Sequence, residues 1–456
     1  MPRQVRFSRV PAAPQVIAQL YANYKRSTKG VVLSFRDYLK VIGYAGREAE
    51  VKGRDKGRAL AGESLVEVPR YPISGTLQII VLLVDFADNV GRRPARQFED
   101  MLFSRQAFLT GSMREFYAEA SQNKVDVVGA VHGWMRMPQP YSYYVNKQSG
   151  TGRYPRNAQR LAEHALAAAQ AEGVVFDQQL DKFGNKMITG LFVVHAGMGA
   201  EVMPSVSLQA KHIWSHKADM QQLYPVSPTL SAATYLTVPE DANMGVCAHE
   251  LGHLAFQWDD FYDPNYAVDG KWEGAGNWDL MAGGSWNNGG NSPAHPAALH
   301  KSQHQWVAVK EVSSSTHLVL PPYGEAGAVI ARLKGRQFGP TQSIILENRL
   351  ARGFDAHLPG AGLLVWRVDT DLEMGGANRP AMMLIQADGR HDLETGNGQK
   401  GGDTGDPFPG SGNKHELGDA GTISTSFPNQ APSGISLRNI ALDPISGNIE
   451  LDVHIE

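Results

Sequence analysis

The stretch Cys247-Ala248-His249-Glu250-Leu251-Gly252-His253 constrains this chain more than any other. Histidines four residues apart lie one helical turn from each other on the same face. His249 and His253 can therefore aim two imidazoles at one metal ion, while Glu250, one step round the helix, faces a water on that ion. Zinc in such a site lowers the pKa of water towards neutrality and polarises a carbonyl, with Glu250 as the general base. The chemistry this implies is hydrolysis. The plain alternative is a helix whose two histidines bind nothing.

Two imidazoles leave zinc short of its usual three protein ligands. Three acids follow the expected helix, Asp259, Asp260 and Asp263, and each is a candidate for the third position. Further on comes Gly274-Ala275-Gly276-Asn277-Trp278-Asp279-Leu280-Met281-Ala282-Gly283-Gly284-Ser285-Trp286. A Met in a glycine-rich turn after the histidines resembles the turn that floors the zinc site in metzincin-type proteases.

Taken together, these segments resemble the M6 metallopeptidases, the immune inhibitor A-like proteases. That family runs His-Glu-x-Gly-His-x-x-Gly-Leu-Pro-Asp-x-Tyr-Asp and then Gly-x-Trp-Asp-Leu-Met-Ala-x-Gly-Ser-Trp. The resemblance makes His249 and His253 zinc ligands, Glu250 the catalytic acid and base, Asp259 the third ligand with Asp260 next in line, and Met281 the Met-turn residue. This chain departs from the pattern at Phe256, where the family has Gly, and at Trp258, where it has Pro. It also carries one extra residue between Trp258 and Tyr262. Glycine there lets a helix end in a left-handed turn, which costs a bulky residue more.

Length and composition fit two or three globular domains: 456 residues, 42% hydrophobic and 20% charged. A net charge of −3 gives no argument for nucleic acid or for a membrane surface, and no apolar run is long enough to span a bilayer. The single cysteine, Cys247, excludes an intrachain disulfide and reads as a small apolar residue on the active-site helix. The start of the chain is basic without the apolar core of a secretory signal. The resemblance implies an extracellular protease, and a cytoplasmic one is the alternative.

Along the chain, residues 1–70 read as an N-terminal helical segment, either an inhibitory propeptide or a decoration of the next domain. Short amphipathic helices are expected at Val16 to Tyr24 and Phe35 to Ile42, with a charged linker at 46–62. Residues 71–310 read as an α/β (α+β) zincin- or metzincin-like catalytic domain. Thr76 to Phe86 and Leu191 to His195 are buried strands. Val125 to Trp134 is an alternating strand, Ser112 opens a capping box with Glu115, and Tyr154 to Glu172 is an alanine-rich helix. Leu83-Val84-Asp85-Phe86, Gly111 to Tyr117, His195 to Glu201 and Ile213 to His216 also resemble M6 sequences. So do Pro293-Ala294-His295-Pro296 and the helix that follows it, Pro296 to Trp306.

Residues 311–456 read as a β-rich, sandwich-like C-terminal domain of short strands between Gly- and Pro-rich turns. The strands are expected at Leu318 to Leu320, Ser343 to Glu347 and Gly362 to Val368. Asp388, Asp403 and Asp406 are candidates for a calcium ion, against a polar turn held by Asx hydrogen bonds. A donor to the reaction's oxyanion is expected, and His295 is the candidate. His195 and His216 are expected to support the substrate edge. The reading that follows is a zinc-dependent endopeptidase acting on proteins or peptides as a monomer. The alternatives are a catalytically silent zinc-binding scaffold and an intracellular hydrolase.

Overall fold

Gly75–Asp85 (β2) is the axis of the N-terminal half, and its burial explains its unbroken apolar sequence. The residues Leu77, Ile79, Val81 and Leu83 enter one core layer, and Ile80, Leu82 and Val84 enter the layer on the opposite face. A strand covered on both faces needs apolar residues at every position rather than at alternate ones. The computed structural model describes residues 7–28, 33–44, 72–262, 273–325, 327–372, 381–395, 401–421, 423–427 and 432–456. The linker expected at 46–62 and the candidate ligand Asp263 lie outside the described residues.

Six strands form the sheet around β2: β1 (Phe7–Arg9), β5 (His216–Ser227), β6 (Leu230–Pro239), β4 (Gly190–His195), β2 and β3 (Val125–Arg136), in that spatial order. The strands β6, β4, β2 and β3 are parallel neighbours. β5 runs antiparallel to β6, and β1 antiparallel to β5. One face carries α5 (Ala158–Ala171), whose Leu161, Ala162, Ala165, Leu166 and Ala169 fill the layer beneath Ile80 and Leu82. The other carries α3 (Ala95–Phe103), α4 (Met113–Ala120) and the motif helix α6 (Met244–Leu254). The capping box at Ser112 and Glu115 is present, and α4 starts where it dictates.

The N-terminal helices α1 (Pro14–Ser27) and α2 (Phe35–Val41) are built into this same layer through Val16, Ile17, Leu20, Phe35 and Leu39. The strand β5 has no counterpart in the sequence reading. It carries Lys217 and Asp219, paired at 3.1 Å and fully buried, which disguise a core strand as polar loop.

The C-terminal part contains a five-stranded sheet, ordered β12 (Met382–Leu384), β11 (Gly362–Asp369), β10 (Gln342–Arg349), β9 (Val329–Leu333) and β7 (Ala308–Val312). A three-stranded sheet of β13 (Ile435–Leu442), β14 (Ile449–Ile455) and β8 (Thr316–Leu320) shares a core with it, through Leu333, Leu346 and Val365 on one side and Leu437, Leu451 and Val453 on the other. The boundary expected at 310 falls inside β7, whose hydrogen bonds go to β9 and so to this C-terminal sheet. Among the described residues no helix is long and apolar enough to cross a membrane.

Candidate metal centre and active site

The motif helix α6 begins at Asn243, whose side-chain oxygen accepts the Val246 N–H at 3.0 Å. Every residue from Met244 to Leu254 is buried, so the helix is set by packing and not by an amphipathic stripe. His249 and His253 stand one turn apart, each oriented by a backbone carbonyl. His249 Nδ1 donates to Leu280 O at 2.9 Å and His253 Nδ1 to Trp258 O at 2.6 Å. A proton on each Nδ1 leaves each Nε2 with its lone pair free for a ligand role.

The two Nε2 atoms are 3.1 Å apart, and Asp260 Oδ1 lies 3.0 Å from His253 Nε2 and 3.3 Å from His249 Nε2. These are three electron-pair donors facing a common point. A tetrahedral ion with bonds of about 2.0–2.1 Å would separate its ligand atoms by roughly 3.3 Å. The three residues therefore fit zinc. Burial depresses His249 and favours its neutral, ligating form. Burial alone would raise Asp260, but the two imidazoles against it, His253 first, outweigh that and hold the carboxyl well below the usual range.

The carboxylate that the structure brings to the two histidines is Asp260, the second choice of the sequence reading, and not Asp259. The helix ends one residue later than the family pattern implies. Gln257, at φ +57°, takes the left-handed position, and Trp258 N–H reaches back to Gly252 O at 3.1 Å. Phe256, expected at that position, instead packs on Tyr117 and Trp258 with ring centroids 5.0 and 4.9 Å away. The extra residue is absorbed at the turn, so the carboxylate that swings back under the histidines is also displaced by one.

Met281 is buried beneath α6. A Cβ at Gly252 would meet its Sδ at 2.7 Å, so this glycine is what lets the turn close under the helix. The Met281 carbonyl accepts the Phe261 N–H at 2.8 Å, joining this turn to the segment that carries Asp260. Phe261 and Trp258 sandwich His300, at 4.4 and 4.8 Å, and Trp258 Nε1 donates to His304 at 2.9 Å. These two histidines are parts of an aromatic cushion behind the site.

Glu250 is fully buried and neither carboxyl oxygen has a hydrogen-bond partner. The backbone amides of Val10 and Lys217 are its polar neighbours, and the Val10 N–H goes to Ser215 O at 3.3 Å. Burial, then Asp260 and Glu201, push the carboxyl well above its ordinary range. Glu201 is itself buried, hydrogen-bonded by the Ser215 hydroxyl and amide, and raised to about 7 by burial. Cys247, on the same helix, is buried, and burial pushes its thiol up to about 12. His195 and His216 are both lowered to about 4 by burial. His216 Nδ1 donates to Trp214 O at 2.6 Å, beside β1.

His295 is not brought to the metal centre. It stands between Glu119, at 3.0 Å, and Asp355, at 3.3 Å. Asp355 is bound by the Arg349 guanidinium, which also reaches Trp278 O and His295 O. Lys301 pairs with Glu347 at 2.7 Å in the same buried network. Asp279, next to the Met-turn, accepts the Ala297 N–H at 2.9 Å and is raised to about 7 by burial.

The calcium candidates divide. Asp388 and Asp403 gather with Asp392, but Arg390 lies among them as their cation. Asp406 turns instead to the Trp278 indole N–H, at 3.3 Å, and the Asp403 amide, at 2.8 Å.

The sequence reading had no role for Tyr262, Trp214 or Glu201. Tyr262 was visible only as a spacing mark of the M6 pattern, and Glu201 and Trp214 fall in M6-like segments to which the sequence attached no role.

Residues 75–312 match the family described as immune inhibitor A peptidase M6, catalytic domain. The pre-pro-metalloprotease PrtV of Vibrio cholerae serotype O1 is similar, 29% identical over 303 residues that cover 54% of this chain and 32% of PrtV. Immune inhibitor A of Bacillus thuringiensis subsp. alesti is 28% identical over 288 residues, 52% of this chain and 41% of that protein. This chain thus spans less than half the length of either curated relative. The matched span begins with β2, ends with β7 and encloses the whole centre of His249, His253, Asp260 and Glu250, and it takes in more than half of the residues: the chain belongs to the immune inhibitor A peptidase M6 family.

Proposed function

We propose that the chain is a zinc-dependent endopeptidase that hydrolyses peptide bonds in proteins, with His249, His253 and Asp260 as the ligands. The observation that carries this reading is the set of three donor atoms 3.0–3.3 Å apart, one step along the helix from a buried carboxyl. Zinc, when bound there, polarises a peptide carbonyl and makes water acidic. Glu250, fully buried, takes the proton from the attacking water and delivers it to the departing amine. The carbonyls of Leu280 and Trp258 keep the two imidazoles aimed, and Met281 supports the helix from below.

In this reading the segment from residue 71 to the start of β7 is a metzincin-like catalytic domain, and the segment from β7 onward a sandwich-like C-terminal domain. The Vibrio relative's name, a pre-pro-metalloprotease, supports treating residues 1–70 as a pro-like segment. The resemblance supports an extracellular site of action.

The test is zinc content and cleavage of unfolded casein by the wild type beside Glu250→Ala. Both proteins should hold about one zinc per chain, and the variant's rate should fall on the order of 10²–10⁴-fold. Zinc in both with equal cleavage would remove Glu250 from the mechanism. A wild type that binds no zinc would end the metallopeptidase reading.

A further inference from the structure

Residues 7–13 occupy the sheet edge beside the metal centre. Phe7 pairs with Ala218, Ser8 with Lys217 and Arg9 with His216, antiparallel. The pairing runs on past β1: Val10 N–H donates to Ser215 O at 3.3 Å and Ala13 N–H to Glu201 O at 3.0 Å. Two indoles clamp the segment, Trp214 Nε1 on the Val10 carbonyl and Trp286 Nε1 on the Pro11 carbonyl, each at 2.9 Å. Val10 and Ala13 are completely buried. An extended peptide added to an exposed strand is held by main-chain hydrogen bonds and selected by side-chain pockets. Here the chain's own segment holds the place such a peptide would take.

One peptide unit is distinguished within it. The Arg9 carbonyl accepts the Tyr262 hydroxyl at 2.6 Å, and Tyr262 lies two residues beyond Asp260. At the other end of the same unit, the Val10 amide, whose N–H goes to Ser215 O, lies beside the Glu250 carboxyl. The Arg9 guanidinium lies 4.0 Å over the Trp214 ring, a cation–π contact. A hydroxyl on the carbonyl oxygen and an acid–base carboxyl beside the nitrogen are what amide hydrolysis demands at its reacting bond.

We infer that the Arg9–Val10 peptide lies in the position of a substrate's scissile bond, that Tyr262 is the donor to the oxyanion, and that Trp214 walls a pocket for a cationic side chain immediately before that bond. This rests on the peptidase reading above. Hydrolysis at this position adds the water oxygen to the carbonyl carbon and a proton to the nitrogen, leaving a carboxylate and an amine. A substrate lies antiparallel to β5, carries arginine or lysine before the cut, and excludes residues 7–13 while it is bound.

The experiment uses the full chain and three variants. Arg9→Glu removes the cation that seats the segment. In zinc-free protein, hydrogen exchange at residues 7–13 should speed up at least tenfold, with α6 unchanged. With zinc, the rate on an arginine-containing peptide should rise several-fold. Tyr262→Phe should lower kcat about 100-fold or more, with KM within a few-fold and zinc content equal to wild type. Trp214→Ala should erase a tenfold preference for arginine over leucine before the cut. Residues 7–13 exchanging freely in zinc-free wild type would overturn the inference, whatever the activity. So would a Tyr262→Phe protein with wild-type kcat, or an active wild type that Arg9→Glu does not accelerate. If zinc-loaded Arg9→Glu is inactive on every peptide while the segment's exchange behaves as stated, it is the peptidase reading that fails.

Discussion

Asp260 and Asp259 are adjacent and chemically identical, and only the turn at Gln257 decides which one meets the histidines. Asp260→Asn should weaken zinc binding by about 100-fold or more, while Asp259→Asn should leave it within a few-fold; both follow from zinc titration against a competing chelator. The sequence made the two histidines and Glu250 legible because a helix fixes their spacing. It left the third donor open because a loop does not. Asp279 supports a second prediction. Its Oδ2 is buried without a hydrogen-bond partner, and its pKa is raised from 3.8 to about 7, first by burial. A carboxyl raised in the folded state stabilises fully below its unfolded pKa, and the contribution is lost as pH rises through the folded value. The loss therefore falls between about pH 4 and 7, and three units correspond to roughly 4 kcal/mol at most. Asp279→Asn keeps an acceptor for the Ala297 N–H but cannot ionise. Its stability in urea should vary less between pH 5 and 8 than that of the wild type, and a parallel pH profile would contradict this. Glu201 and Asp406 are also raised to about 7, so the difference between the two proteins is the informative quantity.

At the scale of elements, the turn that ends α6 carries an avoidable cost. Gln257 holds φ +57°, a conformation that a side chain disfavours, and both of its amide atoms are buried without partners. Gln257→Gly should raise stability by about 1 kcal/mol, seen as a higher denaturation midpoint with unchanged zinc content. A lower midpoint would mean that the side chain's packing outweighs the strain. Elements that bury whole faces were the legible ones: β2, β4, α4 and α5 lie within a few residues of where apolar runs and the capping box put them. The hairpin of β5 and β6 was missed because β5 mixes a buried ion pair with an exposed stretch from Gln221 to Leu223, and no period survives that mixture. The miss matters, since β5 is the edge that receives residues 7–9.

Across the whole molecule, the two parts recognised in the sequence share one charged seam. Arg349 of β10 grips Asp355 and reaches back to the Trp278 carbonyl beside the Met-turn, while Glu347 accepts Lys301 and the Trp366 indole. All four charged groups are buried, and removing one leaves its partner uncompensated. Arg349→Ala should cost about 3–5 kcal/mol, measured by denaturant unfolding. Because β7 belongs to the C-terminal sheet, a chain ending at residue 312 should fail to give a stable protein, and the full chain should unfold in one transition. Two resolved transitions would show the seam to be weaker than its burial implies. Composition and motif order could suggest two domains, but the seam's partners lie up to 71 residues apart in sequence and no local pattern joins them.

Cys247 closes the account with a practical consequence. It sits two residues before His249, fully enclosed, with its thiol held protonated at neutral pH. With 1 cysteine in the chain, any modification by a thiol reagent is a single-site event. Its labelling rate in native buffer reports how often the core around helix α6 opens to solvent. Comparing that rate with and without zinc turns an inert side chain into a clock for the motions of the centre.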